Sequence, residues 1–325
     1  NTHTQASLGS GVTLTGGSLS VTATGHDNNY ADTVAGSAGA IAGASASAAT
    51  GNYSNTTATI GSGSTIDLSG GLDDGFVLAA THTAQFNSKV KTKAGGALAG
   101  SGAEIDNLVT SHAEAAVGDN ADIKAKNLLV EAVNRARKPW LSESNIDGET
   151  GGFISGGGAD SYTGINFTTL VNVGDASLEV VGNPTDAVDR FTLRALNDIQ
   201  AKDKVTLMTG GALSVLNADS TIKTTRDLAR VEICGGATLL SSGDMTLSAR
   251  GKGDVAAKVN ADAYGLGTFI GADAVADIRP ENEVLIHGGD TYVRADGDLN
   301  ISAGTNTGFV RDQYSIEART DTFAG

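Results

Sequence analysis

Six short stretches that close on alanine constrain the fold of this chain more than any other feature. They read SLSVTA, GFVLAA, NLLVEA, RFTLRA, DMTLSA and DLNISA, ending at Ala23, Ala80, Ala132, Ala195, Ala249 and Ala303. The steps between the alanines are 57, 52, 63, 54 and 54 residues. Side chains alternate across a strand, so each stretch has one inward face. Leu19, Phe76, Leu128, Phe191, Met245 and Leu299 form a first inward column, and Val21, Leu78, Val130, Leu193, Leu247 and Ile301 a second. The third inward place holds alanine every time, which predicts a tight corner where a bigger side chain would clash.

Two further motifs recur at the same period. The first reads AGAIAGASA, GGALAGSGA, GGFISGGGA, GGALSVLNA and GTFIGADA, with Ile41, Leu98, Ile154, Leu213 and Ile270 as its expected inward anchors. The second reads IGSGSTI, VGDNADI, VGDASL, ICGGATL and IHGGDTY, anchored on Ile60, Val117, Val173, Ile233 and Ile286. Self-similarity of this kind marks a repeat architecture. Three motifs per period predict an all-β, parallel β-helix or β-solenoid with coils of about 18 to 20 residues, three coils per super-repeat of about 54. At roughly 4.8 Å per coil, about 17 coils would give a rod on the order of 80 Å long.

The super-repeats fall at residues 18–74, 75–126, 127–189, 190–243, 244–297 and a partial 298–325, within one continuous solenoid over 1–325. Residues 111–116 and 224–231 have a helical look but sit inside the repeat register. The long step carries extra residues at 135–142 (RARKPWLS) and 182–189 (GNPTDAVD). Insertions in a solenoid emerge at its surface. Arg135, Arg137, Lys138 and Trp140, the last being the sole tryptophan, are therefore expected as a protruding recognition loop. The chain starts and stops in mid-pattern, so the expectation is a segment of a longer repetitive protein, or ends continued by neighbouring copies.

Composition narrows the function. The net charge is −15, which disfavours nucleic acid as a partner. One cysteine, Cys234, rules out an internal disulfide framework. No apolar run reaches the length of a membrane span, and no signal-peptide pattern is present. An apolar content of 40% in alternating runs argues against disorder.

Each chemical candidate weighs against a plainer reading. GGFISGGG lacks the Gly-Lys-Ser/Thr of a phosphate loop and has four sister copies, so it reads as part of the repeat. The acidic stretches Asp27-Asn28-Asn29, Asp73-Asp74 and Asp119-Asn120-Ala121-Asp122 read as turns, with Asp119, Asn120 and Asp122 as weak calcium candidates. No other cofactor is expected. His3, His26, His82, His112 and His287 show no metal spacing. Cys234 occupies the turn position of Gly61, Gly118 and Gly174 and lacks an electropositive setting. The N-x-S/T sequences at Asn52, Asn55, Asn166 and Asn300 carry little weight in so Asn-, Ser- and Thr-rich a chain. No catalytic residue is assigned: clustered carboxylates in an aromatic-lined groove, the mark of polysaccharide-cleaving β-helices, are not evident, and the expectation is a non-enzyme.

The glycine-bracketed copies GGALAGSGAE, GGFISGGGAD and GTFIGADAVAD, with VGDNADI and VGDASLEV between them, resemble very large exported bacterial adhesins of the filamentous haemagglutinin-like and leukotoxin-type filamentous families. The resemblance implies a right-handed β-helix, secretion to the bacterial cell surface, and a role in adhesion or extracellular fibres. The expected function is an extracellular structural or adhesive shaft that self-associates end to end or laterally, or meets another cell-surface component. The alternatives are a carbohydrate-active β-helix and a calcium-stiffened surface rod.

Overall fold

A computed structural model describes residues 1–70, 75–182, 191–304 and 314–325. All regular structure among them is β, and every strand pairing is parallel. The fold is a parallel β-solenoid. The chain enters through β1 (Thr2–Leu8) and β2 (Thr13–Thr15). The next turn is β3 (Leu19–Ala38), β4 (Ile41–Ile60) and β5 (Thr65–Asp67). In the following one, β6 (Gly75–Val117) runs unbroken through both long faces before β7 (Asp122–Ala125). Then come β8 (Asn127–Lys138), β9 (Ile146–Val173) and β10 (Ser177–Val180), followed by β11 (Phe191–Gly210), β12 (Leu213–Ile233) and β13 (Thr238–Ser241). The last are β14 (Met245–Tyr264), β15 (Gly267–Asp277), β16 (Pro280–Ile286) and β17 (Tyr292–Ala295), then β18 (Leu299–Ala303) and β19 (Tyr314–Ala324).

The register corrects the expected coil. Leu19 stacks on Phe76, Phe76 on Leu128, Leu128 on Phe191, Phe191 on Met245, and Met245 on Leu299. Partners one level apart are thus a whole super-repeat apart in sequence. A coil is the full repeat of about 54 residues, not a third of it. The three motifs mark three places on one coil: the start of an outbound strand, the start of a return strand, and the corner before a short third strand. Seven levels separated by six steps span about 29 Å along the axis, far short of the 80 Å expected. The length goes into width instead, since a 20-residue outbound strand covers about 66 Å at roughly 3.3 Å per residue.

The outbound and return strands form one 13-stranded sheet folded back on itself, and the short strands stack as a second sheet of six. Near the short sheet the section is three-sided. One core cluster there joins Phe76, Leu78 and Ala80 with Ala115 and Val117 and with Ile123 and Ala125. Farther out, the clusters contain residues of the two long faces only, around Phe86, Val109 and Phe167, then Val90, Ile105 and Leu207. The alanine column sits where the third face drops out and the two long sheets meet directly. Ala80, Ala132, Ala195 and Ala249 are all fully buried there. The strand passes straight through, so the small side chain reflects close sheets and not a corner.

Between the apolar clusters lie inward polar residues. His82, Asn134, Thr169 and Asn197 are buried in one band, and Ser88, Asn107, Asn145 and Asp203 in another. These bands explain the error over coil length. Sequence alternation registers apolar side chains, and the polar inward positions between motifs read as turns. Burial shows the alternation continuing through them, as across Thr81 to Lys91 in β6, where only Asn87, which bonds the strap, is buried out of turn. The two helical-looking stretches lie in β6 and β12. In the second, Thr225 is an extra residue bulged out between Thr224 and Arg226, which pair with consecutive Ile165 and Asn166.

Candidate functional site

One coil departs from the pattern on its outer face. Lys138 stacks beside Ala201, and the Asn145 amide donates to Lys204 O. Six residues, 139–144, fill a gap that two fill in the neighbouring coils. The excess leaves the sheet as a strap. Asn87 Nδ2 donates to Pro139 O at 2.9 Å at its start. Ser144 Oγ meets Thr206 Oγ1 at 2.6 Å at its end. Glu143 reaches back to Lys89 and Lys91, at 2.5 and 2.7 Å. Hydrogen bonds from Lys89 and then Lys91, with their charges, hold its carboxyl down at about 2. Trp140 reaches forward across the next coil, and Lys258 Nζ lies 5.3 Å from its ring centroid.

Lys204, Lys258 and Arg319 are register partners on three successive coils. Cations directly opposite on neighbouring strands repel one another. Lys258 is offset by Glu317 at 2.9 Å, and Arg319 by Asp321, also at 2.9 Å. Among the described residues no carboxylate lies within ion-pair distance of Lys204. Trp140, Leu141, Lys204, Lys258, Asn260 and Arg319 line a groove of about 370 Å³, together with one carboxylate, Asp321, the register partner of Asn260.

Of the four residues expected in a protruding loop, the strap contains only Trp140, which is 41% exposed. Arg135 and Arg137 are still in β8, on its outer face. Arg137 donates to the Asp198 carboxylate at 2.5 Å. Lys138 is the reverse of expectation. It points inward and is fully buried, with Nζ 2.5 Å from Asp203 Oδ1 and 2.9 Å from Lys202 O. Ser220 donates to the other Asp203 oxygen at 2.6 Å. Burial holds the Lys138 ammonium below the usual lysine value, although Asp203 opposes the shift. Composition gave no sign of this, because a basic run reads as solvated.

A second polar assembly runs along the solenoid axis. Asp27, read from sequence as part of a turn, is an inward residue of β3. It accepts from Thr2 Oγ1 at 2.6 Å, from Ser54 Oγ, and from His82 Nε2 at 3.1 Å. His82 Nδ1 lies 2.9 Å from Ser111 Oγ, which lies 2.6 Å from Asn134 Oδ1. The path continues through Thr169 and Asn197 to Asp227, with steps of 2.7, 2.5 and 2.7 Å. Burial pushes the Asp27 carboxyl up, but hydrogen bonds from Ser54 and Thr2 and the adjacent His82 outweigh it, and the group sits below its usual value. Burial also lowers His82, against Asp27. Asp27, His82 and Ser111 resemble a nucleophilic triad in composition. However, Ser111 is 2% exposed and His82 fully buried, so the hydroxyl faces no substrate. The assembly ties adjacent coils together.

The remaining candidates resolve as follows. Asp119 and Asn120 form the corner before β7. Asp119 Oδ1 accepts from the Asp175 amide one coil on, and Asn120 adopts φ +57°. Asp122 begins β7. Among the described residues no three His, Cys, Asp or Glu side chains gather to hold a metal. Asp73 and Asp74, and the second insertion from residue 183 on, lie outside the described residues. Cys234 is exposed and takes the backbone position of Gly174, as expected; burial, Glu232 and Asp119 push its thiol up, away from the reactive thiolate.

Four expected inward anchors are outward. Ile41, Leu98, Ile154 and Leu213 stack in register but are 80, 43, 42 and 39% exposed. They lie just past the fold between outbound and return strands, where the apolar ladder runs along the outer edge. Ile270 pairs with Leu216, not with Leu213, and is half-buried against the core. The paired glycines belong to the fold itself. A methyl group on Gly96, Gly152, Gly211 or Gly265 would strike the carbonyl oxygen of the equivalent glycine one coil before, whereas Gly95, Gly151 and Gly210 face open space.

Comparison with protein-family models, with curated proteins and with solved structures finds no match to this chain.

Proposed function

We propose that this chain is a structural and adhesive shaft segment of an extracellular bacterial surface protein, of the kind its glycine-bracketed motifs resemble. The observation that carries the reading is the in-register stack. Each coil hydrogen-bonds to the next along one axis, over strands of about 20 residues per face. Tension along the axis is therefore shared by many backbone hydrogen bonds per level. The buried polar path adds side-chain ties between levels. The net charge of −15 disfavours indiscriminate lateral sticking. Association along the axis, or contact with another surface component, fits a body whose repeating dimension is axial.

Negative-stain microscopy of native material tests the shaft, together with protease shaving of intact cells. The reading expects elongated particles about 65 Å wide and peptides of this chain in the shaved fraction. Compact isolated particles, or peptides recovered only after lysis, would overturn it.

A further inference from the structure

The strap and the row of cations beside it form a surface that the shaft does not need. A row of stacked cations costs stability through repulsion, and Lys204 has no carboxylate within ion-pair distance among the described residues. Trp140 is fixed in place at both ends of the strap by hydrogen bonds and by Glu143 on Lys89 and Lys91. One face of its ring meets Lys258. At 41% exposure, part of the side chain is open to solvent.

We propose that Trp140, Lys204 and Asn260 form a subsite for a sugar residue carrying a single carboxylate. The exposed part of the indole takes the C–H face of a pyranose by dispersion. The Lys204 ammonium takes the carboxylate as a charge-assisted hydrogen bond. The Asn260 amide, able both to donate and to accept, takes a hydroxyl. Lys258 and Arg319 add positive potential that Glu317 and the groove's own Asp321, paired to Arg319, partly offset, so the groove suits one negative charge, placed at Lys204. A polyanion would meet the chain's overall charge of −15.

A glycan fits this surface better than an acidic peptide does. Lys204 and Asn260 lie on β11 and β14, whose backbone N–H and C=O groups are spent on the ladders to either side, while β19 beyond them pairs with β14 alone. An extended peptide gains its affinity at a sheet edge, through those backbone groups. A sugar needs only side chains, and side chains are what Trp140, Lys204 and Asn260 present to the groove.

The subsite gives the adhesive part of the proposed function a ligand class and rests on that reading for its purpose. Binding measured on the purified chain and particle shape measured by microscopy can each fail without the other. Trp140 is the only tryptophan, so its emission reports the site directly. Cellobiouronic acid should change that emission saturably when titrated into the millimolar range. Cellobiose, which differs in lacking the carboxylate, should bind at least tenfold more weakly, and hexaglutamate should give no saturable change. Lys204→Met should weaken cellobiouronic acid binding at least tenfold with an unchanged circular dichroism spectrum. Trp140→Ala, followed by calorimetry, should abolish it. Failure of cellobiouronic acid to bind, equal binding of cellobiose, indifference to Lys204→Met, or tighter binding of hexaglutamate would each overturn the proposal.

Discussion

Lys138 and Asp203 offer the sharpest test of how this interior works. Both side chains are fully buried, and their 2.5 Å contact joins consecutive coils. Substituting Lys138 by Met removes the donor to Asp203 Oδ1 and to Lys202 O. It leaves a buried carboxylate whose remaining side-chain partner is Ser220. Breaking a buried pair from one side costs about 3 to 5 kcal/mol, because the survivor stays desolvated and uncompensated. Asp203→Leu strands the ammonium in the same way. The double variant Lys138→Met/Asp203→Leu removes both charges and should cost less than either single change, with a coupling of about 2 kcal/mol or more. With a urea m-value of about 3 kcal/mol/M, each single variant should lower the unfolding midpoint by roughly 1 to 1.7 M. Trp140 fluorescence is the natural probe, since the indole sits two residues from the lesion and reports its own coil even if a repeat array unfolds in stages. The charge state gives an independent handle. Folded Lys138 releases its proton below the usual lysine value, so at pH values between the two the unfolded chain binds more protons. Wild-type stability should therefore rise with pH there, relative to Lys138→Met. Single costs under about 1 kcal/mol, or a double cost equal to the sum of the singles, would refute the reasoning.

Two further perturbations probe other levels of the fold. Gly152→Ala places a methyl group against the Gly96 carbonyl, while Gly151→Ala meets open space. The first should destabilise by about 1 to 3 kcal/mol through forced backbone displacement, and the second by only a few tenths; equal thermal shifts for the two would contradict the stacked-glycine account. His82 sits below its usual value of 6.5 in the folded chain, so as pH falls from 6.5 toward its folded value the unfolded chain takes up more protons and stability is lost. Asp27 adds its own loss only below 3.8. His82→Asn, less stable overall, should show a flatter stability profile between pH 6.5 and 5, and parallel profiles would count against a buried neutral histidine.

The repeat, its period and much of its core are legible in the sequence. The columns headed by Phe76, Leu78 and Ala80 stack as the alternation requires, and so do Ile60, Val117, Val173, Ile233 and Ile286. These positions obey a local rule: an apolar side chain on one face of a strand, recurring at a fixed period. Cys234 at a glycine corner was readable for the same reason. The groove was half legible. Trp140 stood out by its rarity and by the extra residues around it. Lys204 and Lys258 were readable as register partners, each nine residues past its alanine, had the coil been taken as the whole repeat.

What the sequence determined by itself, then, is that the chain stacks, and with what period, because stacking needs only repeated alternation. The tertiary structure decided how wide a coil is, which way each polar side chain faces, and what the surface gathers. Those depend on partners far apart in sequence. Asn134 can turn inward because Ser111 and Thr169 satisfy it, and Lys138 because Asp203 does, while Ile154 faces outward just past the Gly152 fold. The stretch ETGGFISGGGAD shows both sides. Its period was plain, while the use of one glycine at the fold and the exposure of its isoleucine emerged only from the stacked coils.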